Sequence, residues 1–162
     1  MAPLDQVIFV LTLLAALGCG LVAGVFFAFS TFVMKALARL VPHQGIAAMQ
    51  SINVVVINPW FMTAFLGTAL VCIVLLILSL LRWHAADAAC LLTGAVLYLV
   101  GTLLVTIVFN VPRNEALGKV APTDPHSVPL WGRYVTEWST WNHVRTAAAL
   151  AAAAAFTIAL AY

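Results

Sequence analysis

Four long apolar runs separated by short polar breaks set the pattern of the chain, and each is long enough to be read as a helical span: about 4–35, 59–82, 88–109 and 130–161, with a polar loop at 110–129. A hydrocarbon layer about 30 Å thick needs about 20 apolar residues per helix. The expected architecture is therefore all-α, an integral-membrane four-helix bundle that uses 1–162 as one domain. Between the first two runs, Ile46, Met49, Asn53 and Val56 recur at helical spacing. They predict a short amphipathic helix that lies at the interface or folds back into the bundle.

Smaller features refine each span. Ala16, Gly20, Gly24 and Ala28 recur every four residues and are expected to pack against a neighbouring helix of the bundle, with a dimer seam as the alternative. Pro42 stops the first helix, and Asn58-Pro59 starts the second span with Trp60 and Phe61 at interfacial depth. In the third span Tyr98, Thr102, Thr106 and Asn110 form a polar stripe that should face the interior. Pro112 is expected to end that helix near Asn110. The last helix would be about 50 Å long at 1.5 Å per residue. Its first turns, with Trp131 and Tyr134, should stand in the headgroup layer or cover the mouth of the bundle.

Composition strengthens the membrane assignment. Of 162 residues 65% are hydrophobic and 7% charged, and the mean hydropathy is +1.12. The net charge of +2 is spread over single cations with no basic stripe, so nucleic acid is not an expected partner and the lipid bilayer is. Cys19, Cys72 and Cys90 lie in apolar runs without metal or redox spacing and read as packing residues. No Lys or Arg precedes the first run, which is too long for a signal-peptide core, so an uncleaved span is expected. Lys35, Arg39, Arg113, Lys119, Arg133 and Arg145 fall on one side and Arg82 on the other. The positive-inside rule then puts 36–58 and 110–130 in the cytoplasm and both termini outside, in the plasma or inner membrane if the chain is bacterial.

Chemistry concentrates in WGRYVTEWSTWNHVR, residues 131–145. On a helix Trp131, Tyr134, Trp138, Asn142 and Arg145 share one side, with Trp141 at its margin and His143 a quarter-turn or more away. A cation at this depth usually has a partner or a role. It can snorkel or pair with Glu137, Glu115 or Asp124, or join Asn142, Asn110 and Asn114 in a site that recognises oxygen atoms. Asn53 is either a packing amide or part of that site.

The stretches GVFFAFSTFVMKAL at 24–37, AAMQSINVVVINPWF at 47–61, FNVPRNEAL at 109–117 and WGRYVTEWSTWNHVRTAAALAA at 131–152 resemble a family of small four-span membrane proteins of unknown function that includes the anthrone oxygenases. The resemblance covers most of the chain and implies that Asn110, Asn114, Trp131, Trp138, Asn142 and Arg145 are the site positions. It also implies oxidation of hydrophobic aromatic ketones or enols with O2, although membership alone does not make the chain an enzyme. An anthrone enolate reacts with dioxygen without a metal, so the protein would supply an anion hole, a dry slot and a base. Arg145, Asn142 and Asn114 are the candidate anion hole, and Trp131, Trp138 and Trp141 the candidate walls. Arg113 and Tyr134 complete the candidate ligand-binding set. His143 is the first candidate base and catalytic residue, with Glu137 and His126 behind it.

Two other classes fit the same sequence. One is a haem- or metal-binding protein with His43 or His143 as axial ligand, although no cofactor motif is present. The other is a non-catalytic lipid- or quinone-binding protein or scaffold subunit. A small hydrophobic aromatic ligand and a homo-oligomer are the remaining expected partners.

Overall fold

The computed structural model describes residues 3–162, and among them every regular element is helical. Five helices follow one another: α1 (Pro3–Ala38), α2 (Pro42–Val55), α3 (Pro59–Leu81), α4 (Ala88–Gly118) and α5 (Ser127–Ala159). Three of them, α1, α3 and α4, are long and apolar enough to cross a membrane. Helix α5 packs along α1 and α4, and α3 closes the circuit by packing on those same two helices.

Local chemistry explains the boundaries. Pro42 and Pro59 occupy first-turn positions, where a missing N–H costs no bond. Asn58 caps α3 through Oδ1, which accepts from the Phe61 N–H at 3.0 Å. The turn after α4 is held by Ser127, whose hydroxyl donates to the Ala121 carbonyl at 2.8 Å.

Two expectations change. Helix α4 does not end near Asn110; it runs through Pro112 to Gly118, so much of the expected polar loop 110–129 is helical. The reason is a π-helical turn at Thr106–Asn110, in which the Val111 N–H bonds the Thr106 carbonyl five residues back. Such a turn carries one extra residue and shifts the hydrogen-bond ladder, so a proline just beyond it removes no needed donor. The Ala16/Gly20/Gly24/Ala28 stripe is likewise not a bundle seam at its centre. Apart from the helix's own backbone and the adjoining residues, no heavy atom lies within 4 Å of where a Cβ would stand on Gly20 or Gly24, and that face looks outward. Close helix approach uses other glycines: a Cβ on Gly94 would meet the Phe156 ring at 2.9 Å, and one on Gly18 would collide with the Thr68 hydroxyl.

The interior divides into two clusters. Towards the chain termini, Cys19, Leu75, Ala95, Tyr98 and Phe156 anchor an apolar core. At the other end, Met34, Leu37, Ile46, Met49, Leu117, Trp131, Tyr134 and Trp138 pack α2 and the start of α5 over the helix ends. Gln50 fastens this roof by donating through Nε2 to the carbonyls of Leu117 and Val120 at 2.8 and 2.9 Å.

Candidate functional site

Between the two clusters lies a cavity of about 330 Å³. Its walls are overwhelmingly apolar: Phe26 and Phe29 from α1, Met49 and Ile52 from α2, Phe61 and Phe65 from α3, Leu103 and Ile107 from α4. The polar groups on the lining are Asn53, Thr106, Asn114, Trp138 and Arg145. No carboxylate, imidazole or thiol is among them.

Arg145 is 4% exposed. Its Nη2 donates to Asn142 Oδ1 at 2.6 Å and its Nη1 to Thr106 Oγ1 at 3.2 Å, while Nε has no hydrogen-bond partner. The guanidinium carbon stands 4.1 Å from the centre of the Phe26 ring and 5.1 Å from that of Trp138. These π faces offset part of the cost of burying the charge. None of the expected carboxylates answers it: Glu137 pairs with Arg113 at 2.8 Å, and the other ion pair of the described residues joins Arg82 and Asp5.

The framework around the guanidinium comes from the polar stripe of α5, which turns inward as its spacing predicts. Trp131, Tyr134, Trp138, Asn142, Arg145 and Ala149 are all buried. Asn142 does not touch the cavity but locks α5 to α1, donating through Nδ2 to the Phe26 carbonyl at 2.8 Å and to Ser30 Oγ at 2.7 Å. Ser30 lies in a second π-helical turn, Phe29–Val33, and also meets Thr146 Oγ1 at 3.0 Å. Thus π turns of α1 and α4 both face the Arg145 level, Ser30 from one and Thr106 from the other. π bulges gather at functional sites because the extra residue re-aims side chains.

The segment after the third apolar run folds against the tryptophan-rich start of α5. Asn110 Nδ2 donates to the Trp138 carbonyl at 3.2 Å, and its buried Oδ1 has no partner. Asn114 Oδ1 accepts from Trp138 Nε1 at 2.8 Å and from the Tyr134 hydroxyl at 2.9 Å, which fixes the indole edge at the cavity wall. Asn53 Nδ2 is buried and makes no hydrogen bond, although it lies close to the Tyr134 hydroxyl.

Other expected members stand apart. Trp131 packs over Gly45 in the roof, and Trp141 stacks on Phe109 with ring centres 3.5 Å apart, so Trp138 is the one indole on the cavity wall. Arg113 bonds Glu137 and the Phe109 carbonyl on the outside of the bundle. His143 is exposed and lines a shallow depression with Phe27 and Thr31 on the far side of α5. His43, His126 and Glu137 are exposed as well. Among the described residues no group of three His, Cys, Asp or Glu converges on a metal-sized site. Sequence reasoning did not single out Phe26, Phe65 or Met49 as walls. The crowding of phenylalanines around 26–32 was the available signal for the first, and nothing in spacing distinguishes the other two from core.

A family model described as anthrone oxygenase matches residues 61–155, more than half of the chain. The match covers all but the first two residues of α3, the whole of α4 and most of α5, and so contains Thr106, Asn114, Trp138 and Arg145. No curated protein and no solved structure matches the chain.

Proposed function

The chain belongs to the anthrone oxygenase family, and from that premise we propose that it is a four-span membrane protein that binds a flat hydrophobic aromatic ketone or enol in the Arg145 cavity and oxidises it with dioxygen. Helix α5 is the fourth span in this reading, with its alanine-rich half in the hydrocarbon and its first turns in the roof. The observation that carries the proposal is a buried guanidinium, without a carboxylate, turned to an apolar cavity with its Nε unengaged. A structural arginine would be neutralised by an ion pair; one left unpaired is poised for an anionic oxygen.

The chemistry balances without a protein nucleophile. An anthrone in its enol form gives its O–H proton to water, and the resulting enolate oxygen is held by Arg145. The electron-rich ring carbon passes an electron to O2, and recombination forms a C–O bond. The peroxide takes up a proton and then loses water across the C–H and O–O bonds, leaving a second carbonyl. One O2 is consumed; one of its oxygens enters the product and the other leaves as water. The chain's contribution is to stabilise the anion in a water-poor site, where preorganised donors are worth most. With no carboxylate or imidazole on the lining, lowering the proton affinity of the substrate replaces a general base.

The test is oxygen uptake by the purified protein in lipid nanodiscs with anthrone as substrate, combined with 18O2 labelling. One O2 consumed and one labelled oxygen retained per anthraquinone, at a rate far above protein-free nanodiscs, is the expected result. Uptake equal to that of empty nanodiscs would sink the proposal.

A further inference from the structure

The cavity has a closed end and an open side, and the two differ in what they face. Towards the helix ends it is shut by the roof, in which Met49, Leu117, Trp131, Tyr134 and Trp138 are all at most 5% exposed and Gln50 ties α2 to the end of α4. Towards the side the lining residues are apolar and open: Ile107 is 55% and Leu66 48% exposed, and Ile57, in the turn before α3, 72%. Helices α3 and α4 pack closely along Ala88–Tyr98 and only lightly over the next turns, so they part where these residues stand. Leu66 lies about 10 Å along α3 from Pro59, at 1.5 Å per residue. Ile107 lies about 16 Å from the end of α4 on the same scale. Both positions fall within helices long and apolar enough to span the bilayer, not in a headgroup loop.

The geometry points to a lateral portal between α3 and α4, through which the site takes its ligand from the hydrocarbon of the membrane and not from water. This rests on the proposed function for the identity of the probe, but the route follows from the cavity alone. An opening rimmed by Leu66 and Ile107 offers a water-borne ion nothing, whereas a planar apolar molecule already dissolved among acyl chains passes it without desolvation. Inside, Arg145 Nε is a buried donor without a partner, and Asn53, on the same lining, holds its Nδ2 beside the Tyr134 hydroxyl. The ligand that satisfies Arg145 Nε is an apolar ring system carrying an acceptor oxygen, because an unmet buried donor is costly and specific.

The experiment uses the full chain reconstituted in phosphatidylcholine vesicles and anthraquinone as the probe, followed by quenching of tryptophan emission. Ile107→Trp narrows the portal at a rim residue that is 55% exposed and that also forms the outer edge of the cavity wall, one residue from Thr106. Its expected signature is kinetic: association and dissociation slow together, each by about tenfold, so that the equilibrium constant moves far less than either rate. Ile107→Ala leaves both rates equal to or faster than those of the parent, and Leu66→Trp repeats the slowing should Ile107→Trp misfold. Adding lipid at constant total probe slows association in proportion to dilution within the bilayer. Rates that ignore both tryptophan variants and follow aqueous probe concentration overturn the portal, and oxygen uptake in the same vesicles then shows whether the oxidation reading survives it. Portal-dependent binding without oxygen uptake leaves the route standing and removes the oxidation. Absence of anthraquinone binding overturns the portal's ligand assignment whatever the oxygen electrode reads.

Discussion

Arg82 and Arg145 are solved in opposite ways by the same bundle. Arg82 ends α3 beside the chain termini, pairs with Asp5 at 3.1 Å and remains partly in solvent, with side-chain exposures of 31% and 43% for the two partners. Arg145 sits deep in α5 with amide, hydroxyl and aromatic faces around it but no carboxylate. An exposed ion pair is worth little and asks little of its neighbours. A buried unpaired guanidinium constrains everything it touches, and its surroundings contain the π turns, the cavity and the polar stripe. The difference separates a solvent-screened ion pair from a buried cation held by neutral and aromatic partners.

The largest effect that can test this contrast is Arg145→Met. Removing a preorganised donor to an oxyanion costs about 100- to 1,000-fold in kcat, and we expect anthrone-dependent oxygen uptake to fall by that order. Arg145→Met relieves a buried charge but leaves Asn142 Oδ1 without its 2.6 Å donor, two effects on stability that oppose each other. The melting temperature should therefore change little beside the loss of activity, and a clear fall in it with activity retained would make Arg145 a structural residue.

Asn142→Leu comes next, because it acts on Arg145 from behind. The substitution leaves the Phe26 carbonyl without its 2.8 Å donor and releases one arm of the guanidinium. Exposing such buried groups without partners costs about 1–3 kcal/mol each. We expect lowered thermal stability together with a loss of activity smaller than that of Arg145→Met. The two effects should be correlated, and Asn142→Asp, which keeps an acceptor for Arg145 but adds a charge, should separate them.

The roof supplies a third, smaller effect. A Cβ on Gly45 would lie 2.9 Å from both the Trp131 ring and the Leu37 carbonyl. Overpacking of this kind costs about 1–3 kcal/mol, so Gly45→Ala should loosen α2 over the cavity. Tryptophan emission should shift to the red, and oxygen uptake should fall only a few-fold, since the guanidinium and its partners stay in place.

These regions were unequally legible in the chain. Periodicity was enough for α5, because Trp131, Tyr134, Trp138, Asn142 and Arg145 fall at steps of three and four on one side, and burial follows from that spacing. The inward stripe of α4 was legible for the same reason. The passage of α4 through Pro112 was not, because a π turn depends on how the ladder is shared among neighbouring helices and has no residue signature of its own. Gly20 and Gly24 misled in the opposite direction: small residues permit close approach but do not compel it, and here they face outward. The proposed portal was equally hidden, since nothing in spacing distinguishes Leu66 and Ile107 from the other apolar residues of their helices.

The smallest effect belongs to the other arginine, and its smallness is what makes it informative. Arg82 donates through Nη2 to Asp5 Oδ1 in a solvent-screened pair, and pairs of this kind contribute about 0–1 kcal/mol. Asp5→Asn keeps an oxygen acceptor while removing the carboxylate, so it should shift the melting temperature by no more than a degree or two at low salt and by nothing measurable at high salt, where screening already weakens the pair. Oxygen uptake should be unchanged, because the pair lies beyond the apolar core of Cys19, Leu75 and Phe156 from the cavity. If Asp5→Asn instead lowered oxygen uptake as far as Asn142→Leu does, the two ends of the bundle would be coupled through that core. The contrast between the two arginines would then have to be abandoned.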